Sequence, residues 1–176
     1  MLSRKKLRWY LFGAQAVNLY GRPRMTADVD VTVEVPAAER PGLLRSLARA
    51  GFVARVENIE AFAERTRVLP FVHRGTGFPL DLVIAADGLE AAFLARAQMI
   101  DVGGVRLPVI SVEDLVVAKV IAGRAKDLDD VRGIVAAHSA LDRSAVARLL
   151  TELDELLERA DLLPAFERLL HPMSTT

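Results

Sequence analysis

The sequence contains no cysteine among its 176 residues, which excludes disulfides and thiolate metal sites. It also lacks any uninterrupted apolar run near the roughly 18 residues that indicate a transmembrane helix. The basic N-terminus is not followed by the apolar segment and small-residue cleavage site of a secretory signal. These absences predict a cytoplasmic protein with no membrane partner.

Aromatic residues are scarce, at 6%, and the formal net charge is zero, with 23 basic and 23 acidic side chains. The hydrophobic fraction of 52% excludes a disordered protein, and the length suits one compact core with a helical appendage. The charges are nevertheless uneven, because every acid lies at or after Asp28, while six basic residues come before it. A positive rim around an acidic centre suits phosphate-bearing substrates held through a metal, but an ordinary solvated N-terminus explains the same pattern. The six are Arg4, Lys5, Lys6, Arg8, Arg22 and Arg24.

The most informative stretch is Asp28-Val29-Asp30, which opens a Val-rich alternating segment over residues 29–35. Alternation predicts a strand, in which residues two apart share a face, so the two carboxylates point the same way with Cα atoms roughly 7 Å apart. Two such carboxylates favour a hard divalent cation, Mg²⁺ or alternatively Mn²⁺. An acidic pair in a solvated turn is the competing interpretation.

A short apolar run, residues 9–12, meets Gly13 and is followed by helical spacing from Ala14 to Tyr20. A strand, a glycine and a helix start bring backbone N–H groups close to a phosphate. We therefore interpret Gly13 and Ala14 as a candidate phosphate rest.

Asp81 lies in the otherwise apolar run 78–85, where an unpaired carboxylate costs several kcal/mol. A place beside Asp28 and Asp30 as the third metal ligand explains it, if the two strands are neighbours. An ion pair with Arg24 or Arg67 is the alternative.

Further along, Ser111 and Asp114 are typical of a capping box at the start of a helix whose apolar stripe includes Lys119. A cation on that stripe needs an anion, either a triphosphate or an acid, or else extends to the edge of the core. The next helix opens with Lys126, Asp127, Asp129 and Asp130, and acids there are also ordinary first-turn residues.

Two ordered sets of residues resemble the nucleotidyltransferase superfamily with the DNA polymerase β type of fold. The second set, within residues 106–134, resembles the branch of AbiE-type toxins and small uncharacterised nucleotidyltransferases. Ala14 departs from the Gly or Ser usual at its place. The first set is Gly13-Ala14, Tyr20-Gly21, Arg24, Thr26 and Asp28-Val29-Asp30, and the second is residues 106–134 with Lys119, Lys126 and Asp127.

The resemblance implies a Mg²⁺-dependent enzyme that moves a nucleoside monophosphate from a nucleoside triphosphate to an acceptor hydroxyl on RNA such as tRNA, a protein or a small molecule. It implies a toxin with a cognate antitoxin. The alternative is a catalytically silent nucleotide-binding module of regulatory or antitoxin type, which acts through a protein partner such as a cognate toxin. The implied catalytic and metal-binding residues are Asp28, Asp30 and Asp81. The implied nucleotide-binding residues are Gly13, Ala14, Arg24, Thr26, Lys119, Lys126 and Asp127.

The expected architecture is α/β, with a mixed sheet, helices on one side and a C-terminal helical cap. We expect a catalytic core over residues 1–138 and a helical extension over 139–176 that packs on it, with an amphipathic helical pair over 141–170 interrupted at Pro164.

Overall fold

The computed structural model describes residues 1–170. The chain forms two compact units. The first unit comprises Met1–Ala16 and Met25–Ile110, and the second comprises Val17–Arg24 and the chain from Ser111 onward. The second unit therefore begins before residue 138, and residues 171–176 of the expected extension lie outside the described residues. The domain boundary stays a prediction.

The strands of the described chain form one seven-stranded mixed sheet in the first unit, in the order β3-β4-β5-β2-β1-β7-β6. Strands β2 and β5 pair in parallel, as do β1 and β7, and the other neighbours are antiparallel. This arrangement confirms the predicted mixed α/β class. The strands are β1 Trp9–Phe12, β2 Val29–Val33, β3 Phe52–Ala54, β4 Val68–His73, β5 Pro79–Ile84, β6 Gln98–Val102 and β7 Val105–Val109.

The central strands are β-branched and apolar on the face that the core buries. Val31 and Val33 of β2 lie in register with Leu82 and Ile84 of β5, and all four are nearly inaccessible to solvent. Because side chains alternate along a strand, Asp30 and Asp81 lie on the opposite face from these four residues. The same pattern that builds the core thus places both acids on the other face.

Eight α-helices occur in the described chain, and in that part of it none has the length and apolar character needed to cross a membrane. Helix α5 begins at the predicted cap, where the Ser111 hydroxyl accepts a hydrogen bond from the Asp114 backbone N–H at 3.2 Å. The helices are α1 Gly13–Tyr20, α2 Arg40–Arg49, α3 Ile59–Thr66, α4 Leu89–Arg96, α5 Val112–Ala122, α6 Ala125–Ala137, α7 Arg143–Leu156 and α8 Leu162–Leu170.

A separate 3₁₀ turn, Ala37–Glu39, precedes α2, which starts at Arg40. The C-terminal pair is present as α7 and α8, but Pro164 does not interrupt it. Pro164 is the third residue of α8, where its missing N–H would have had no intrahelical partner in any case.

Candidate active site

Two of the predicted acids lie side by side in the first unit. Asp30 of β2 and Asp81 of β5 are register partners in the parallel pair, and both are partly buried. Neighbouring strands lie about 4.8 Å apart, so the two side chains leave the same face of the sheet side by side. The structure thereby brings together two residues that are 51 positions apart in the sequence.

Gly13 is shaped to accommodate the Asp30 carboxylate. Its φ is +64°, and a Cβ added there would lie 1.9 Å from Asp30 Oδ2 and 2.9 Å from Asp30 Cβ. A side chain at position 13 and the present Asp30 rotamer therefore exclude each other. The sequence predicts that a phosphate approaches the backbone at Gly13. In this structure the Asp30 carboxylate lies close to Gly13 instead, and the phosphate role of Gly13 and Ala14 stays a prediction.

Asp28 lies just before β2 and is exposed. Its backbone carbonyl accepts a 3.4 Å hydrogen bond from Gln15 Nε2, which ties the segment before β2 to α1. Thr26, in the same segment, is partly buried.

The Asp81 carboxylate is bound by Arg55, which donates from Nη2 to Asp81 Oδ1. Arg55 follows the short edge strand β3, and its N–H donates to the Pro70 carbonyl at 2.9 Å, while Pro70 is the register partner of Asp81. The arginine thus extends across β4 to reach β5. Of the two arginines suggested by the sequence, Arg24 binds Asp130 and Arg67 binds Glu90, so neither is the partner of Asp81.

Sequence reasoning missed Arg55 because its role depends on register. Nothing in residues 52–56 links them to position 81 until β3, β4 and β5 are aligned. The available signal was Asp81 itself, because an acid in an apolar run needs a positive partner.

The donor set can be tested against a divalent cation. Asp30 and Asp81 supply carboxylate oxygens on adjacent strands, which fit Mg²⁺ or Mn²⁺. Among residues 1–170, however, no three His, Cys, Asp or Glu side chains lie close enough to hold an ion together. Asp30 and Asp81, two of the predicted ligands, therefore fit the cation as a pair, but the Arg55 guanidinium binds the Asp81 carboxylate. The three-carboxylate site with Asp28 stays a prediction.

The remaining predicted residues lie in the second unit, in a buried ionic network. Lys119, only 7% exposed, donates from Nζ to Asp127 Oδ1 at 2.7 Å and to Asp130 Oδ2 at 2.9 Å. Arg24 binds Asp130 with two hydrogen bonds of 2.9 and 3.1 Å, and Arg124 binds Asp127. These contacts explain a buried lysine without a phosphate.

The network also fixes the ionisation of its two carboxylates. Burial raises the pKa of Asp127, but hydrogen bonds and positive charge from Arg124 and Lys119 outweigh burial and hold that pKa below its ordinary value. Burial acts on Asp130 in the same way, and Arg24 and Lys119 likewise lower its pKa. Both acids are therefore anionic at neutral pH. Lys126 is exposed at the start of α6, and the nucleotide-binding roles of Arg24, Lys119, Lys126 and Asp127 stay predictions.

Burial raises the pKa of Tyr20 to about 12, and the negative charge of Glu113 adds to the effect. Its ring packs edge-on against His138, with centroids 5.6 Å apart. Tyr20 is thus a neutral core residue at physiological pH.

The chain matches one protein family, described as a nucleotidyltransferase of unknown function (DUF6036), over residues 2–162. No curated protein matches it in sequence.

Several solved structures share the fold at low identity. The antibiotic-resistance factor ANT(2'')-Ia, in solution, has a TM-score of 0.58 and 17% identity, covering 89% of each chain. The lincomycin-bound lincosamide antibiotic adenylyltransferase LnuA has a TM-score of 0.52 and 12% identity, covering 76% of this chain and 89% of its own. An antigenic nucleotidyltransferase-like protein from Paracoccidioides brasiliensis has a TM-score of 0.55 and 17% identity, covering 94% and 87%.

Proposed function

The chain belongs to the DUF6036 family of nucleotidyltransferases of unknown function, and we propose on that premise that it transfers a nucleoside monophosphate from a nucleoside triphosphate to an acceptor hydroxyl. The observation that carries the proposal is the register pairing of Asp30 with Asp81 on adjacent parallel strands. Paired carboxylates on one face are the arrangement that a metal-assisted phosphoryl transfer needs.

In the proposed reaction the acceptor oxygen attacks the α-phosphorus, the bond to the β-phosphate oxygen breaks, and pyrophosphate leaves. A divalent cation, when bound, would neutralise charge on the phosphate oxygens. Asp30 and Asp81 would hold that cation, and the Asp81 carboxylate would accept the proton of the attacking hydroxyl. Arg55 has to release Asp81 before either role begins, because the guanidinium occupies the same carboxylate.

The acceptor is proposed from the chemistry of related structures. ANT(2'')-Ia has been solved with adenylyl-2''-tobramycin, and LnuA with lincomycin. Both structures contain an antibiotic or its adenylyl derivative, so a small molecule is the first acceptor class to test here. RNA, a protein hydroxyl and a toxin role with a cognate antitoxin are further proposals for the same reaction.

A catalytically silent nucleotide-binding module is the second candidate, and the Arg55 contact with Asp81 favours it. In that case Arg55 neutralises Asp81 permanently, and nucleotide binds without turnover.

One assay distinguishes the active transferase from the silent nucleotide-binding module. The protein is incubated with each α-labelled nucleoside triphosphate, Mg²⁺ or Mn²⁺, and pools of antibiotics, RNA and protein. We expect pyrophosphate release and label transfer that fall by at least about a hundredfold in Asp30→Asn and Asp81→Asn. Asp87→Asn, at an exposed position of the same unit, is the matched control and keeps the wild-type rate. Saturable nucleotide binding with no pyrophosphate release from any pool would favour the silent module.

A further inference from the structure

A cavity of about 540 Å³ in the second unit is lined by three arginines from two segments. Arg22 and Arg24 come from the turn after α1, and Arg132 comes from the middle of α6. A cavity of this volume accommodates a small ligand. The full lining is Val17, Arg22, Pro23, Arg24, Asp129, Asp130, Arg132, Gly133 and Ala136.

Two glycines bring the arginine-bearing turn against α6. A Cβ at Gly21 would lie 3.0 Å from Ile134 Cγ1 and 3.1 Å from the Ile134 nitrogen, and a Cβ at Gly133 would lie 3.6 Å from Arg22 Cβ. Asn18 fixes the far side of the turn, because its side chain accepts from the Arg24 N–H at 2.8 Å and donates to the Arg24 carbonyl at 3.0 Å. The turn is therefore held from both sides, with Arg22 and Arg24 on the lining of the cavity.

The three guanidinium groups differ in how strongly they are engaged. Arg24 is held in a two-bond pair by buried Asp130. Arg132 pairs with Asp129, whose side chain is 72% exposed, and an exposed pair of this kind contributes little and exchanges easily. Arg22 is exposed and has no ion pair among the residues that the structure describes.

The charges around the cavity select the class of ligand. Three arginines face two carboxylates on the lining, and one of those carboxylates, Asp130, is also bound from behind by Lys119. The lining therefore carries a net positive charge, which favours an anionic ligand. A terminal phosphate monoester presents three acceptor oxygens to Arg22 and Arg132, one more than a phosphodiester presents.

We propose that Arg22, Arg24 and Arg132 form a binding site for a terminal phosphate monoester, carried by a free nucleotide or by a phosphorylated RNA end. Asp130 and Lys119 position Arg24, while Arg22 and Arg132 bind the phosphate directly. The site needs neither a metal nor Asp30 and Asp81, and so goes beyond the proposed transfer reaction.

Titration calorimetry of the full chain in EDTA tests this site with AMP and adenosine as probes. We expect AMP to bind and adenosine not to bind, with affinity for AMP falling below pH 6 as the phosphate takes up its second proton. Arg22→Gln and Arg132→Gln should each weaken AMP binding about tenfold, the size of one charge-assisted hydrogen bond. Arg148→Gln, an exposed arginine on α7, is the matched control and should leave binding unchanged.

A second pair of probes separates the two sources of phosphate. A short RNA with a 5′-phosphate that binds at least tenfold more tightly than AMP assigns the site to an RNA end, and equal or weaker binding assigns it to the free nucleotide. An RNA with a 5′-hydroxyl that binds as tightly as its phosphorylated form overturns the proposal, as does unchanged AMP binding in both arginine variants. Because no turnover is measured, this outcome is independent of the fate of Asp30→Asn in the transfer assay.

Discussion

The capacity of Asp81 to bind a cation depends on Arg55, whose guanidinium contacts the same carboxylate. In the sequence Asp81 is a lone acid in an apolar run, and the structure pairs it both with Asp30 in register and with the Arg55 guanidinium. The guanidinium and a divalent cation compete for one carboxylate. Both side chains of the ion pair are about one-third exposed, so the contact is worth on the order of 1 kcal/mol or less.

The first residue-scale prediction concerns metal binding. Arg55→Gln should tighten Mn²⁺ binding about three- to fivefold, because the carboxylate pair loses its competing cation. Paramagnetic resonance titration of free Mn²⁺ measures this without turnover. Arg65→Gln, on an exposed arginine of α3, should match the wild type. Weaker Mn²⁺ binding in Arg55→Gln would mean that Arg55 supports the cation site and does not compete for it.

The second residue-scale prediction concerns the stability effect of a side chain at Gly13. Gly13→Ala should cost about 1–2 kcal/mol for its left-handed backbone and a further 1–3 kcal/mol for displacing Asp30. Gly103→Ala has nearly the same φ, +61°, with nothing within 4 Å of the added Cβ, so it isolates the backbone cost. Urea unfolding compares the two variants. Equal losses would show that Asp30 does not occupy the space over Gly13.

At the scale of elements, α5 and α6 are joined by the ionic network of Lys119, Asp127 and Asp130. The sequence predicts that Lys119 lies on the apolar stripe of α5 and needs an anion, either a triphosphate or an acid, unless it extends to the edge of the core. The start of α6 also suggested ordinary first-turn chemistry. What the sequence could not supply was the rotation of α6 relative to α5, which decides that Asp127 and Asp130 face Lys119 while Asp129 faces solvent.

This network predicts an acid-sensitive stability. The pKa values of Asp127 and Asp130 in the folded state lie below their ordinary value of 3.8, so the two carboxylates contribute stability above that value. The contribution is lost as pH falls below about 4 toward the lowered folded-state values. Unfolding free energies measured from pH 5 to pH 3 should therefore fall more steeply in wild type than in Asp127→Asn. Exposed Asp129→Asn should keep the wild-type slope, and identical slopes in all three proteins would contradict the account.

At the scale of the whole molecule, the alternating pattern of residues 29–35 was sufficient to predict strand β2, because alternation is a local property of the sequence, and the mixed α/β class was predicted with the resemblance. The sequence places Asp81 beside Asp28 and Asp30 on the condition that their strands are neighbours, and residue patterns alone could not establish that condition, since strand order is a property of the complete sheet. Arg55 and the cavity with Arg22 and Arg132 were not predicted, because each requires register or helix packing between distant segments.

A double-mutant cycle on pyrophosphate release, with Asp30→Asn, Asp81→Asn and the double variant, measures whether the two carboxylates act together. If the two carboxylates act as one site, each single variant should lose nearly all activity, and the double variant should lose no more than either. An Asp81→Asn variant with wild-type turnover, or losses that simply multiply in the double variant, would contradict a site built on this pair.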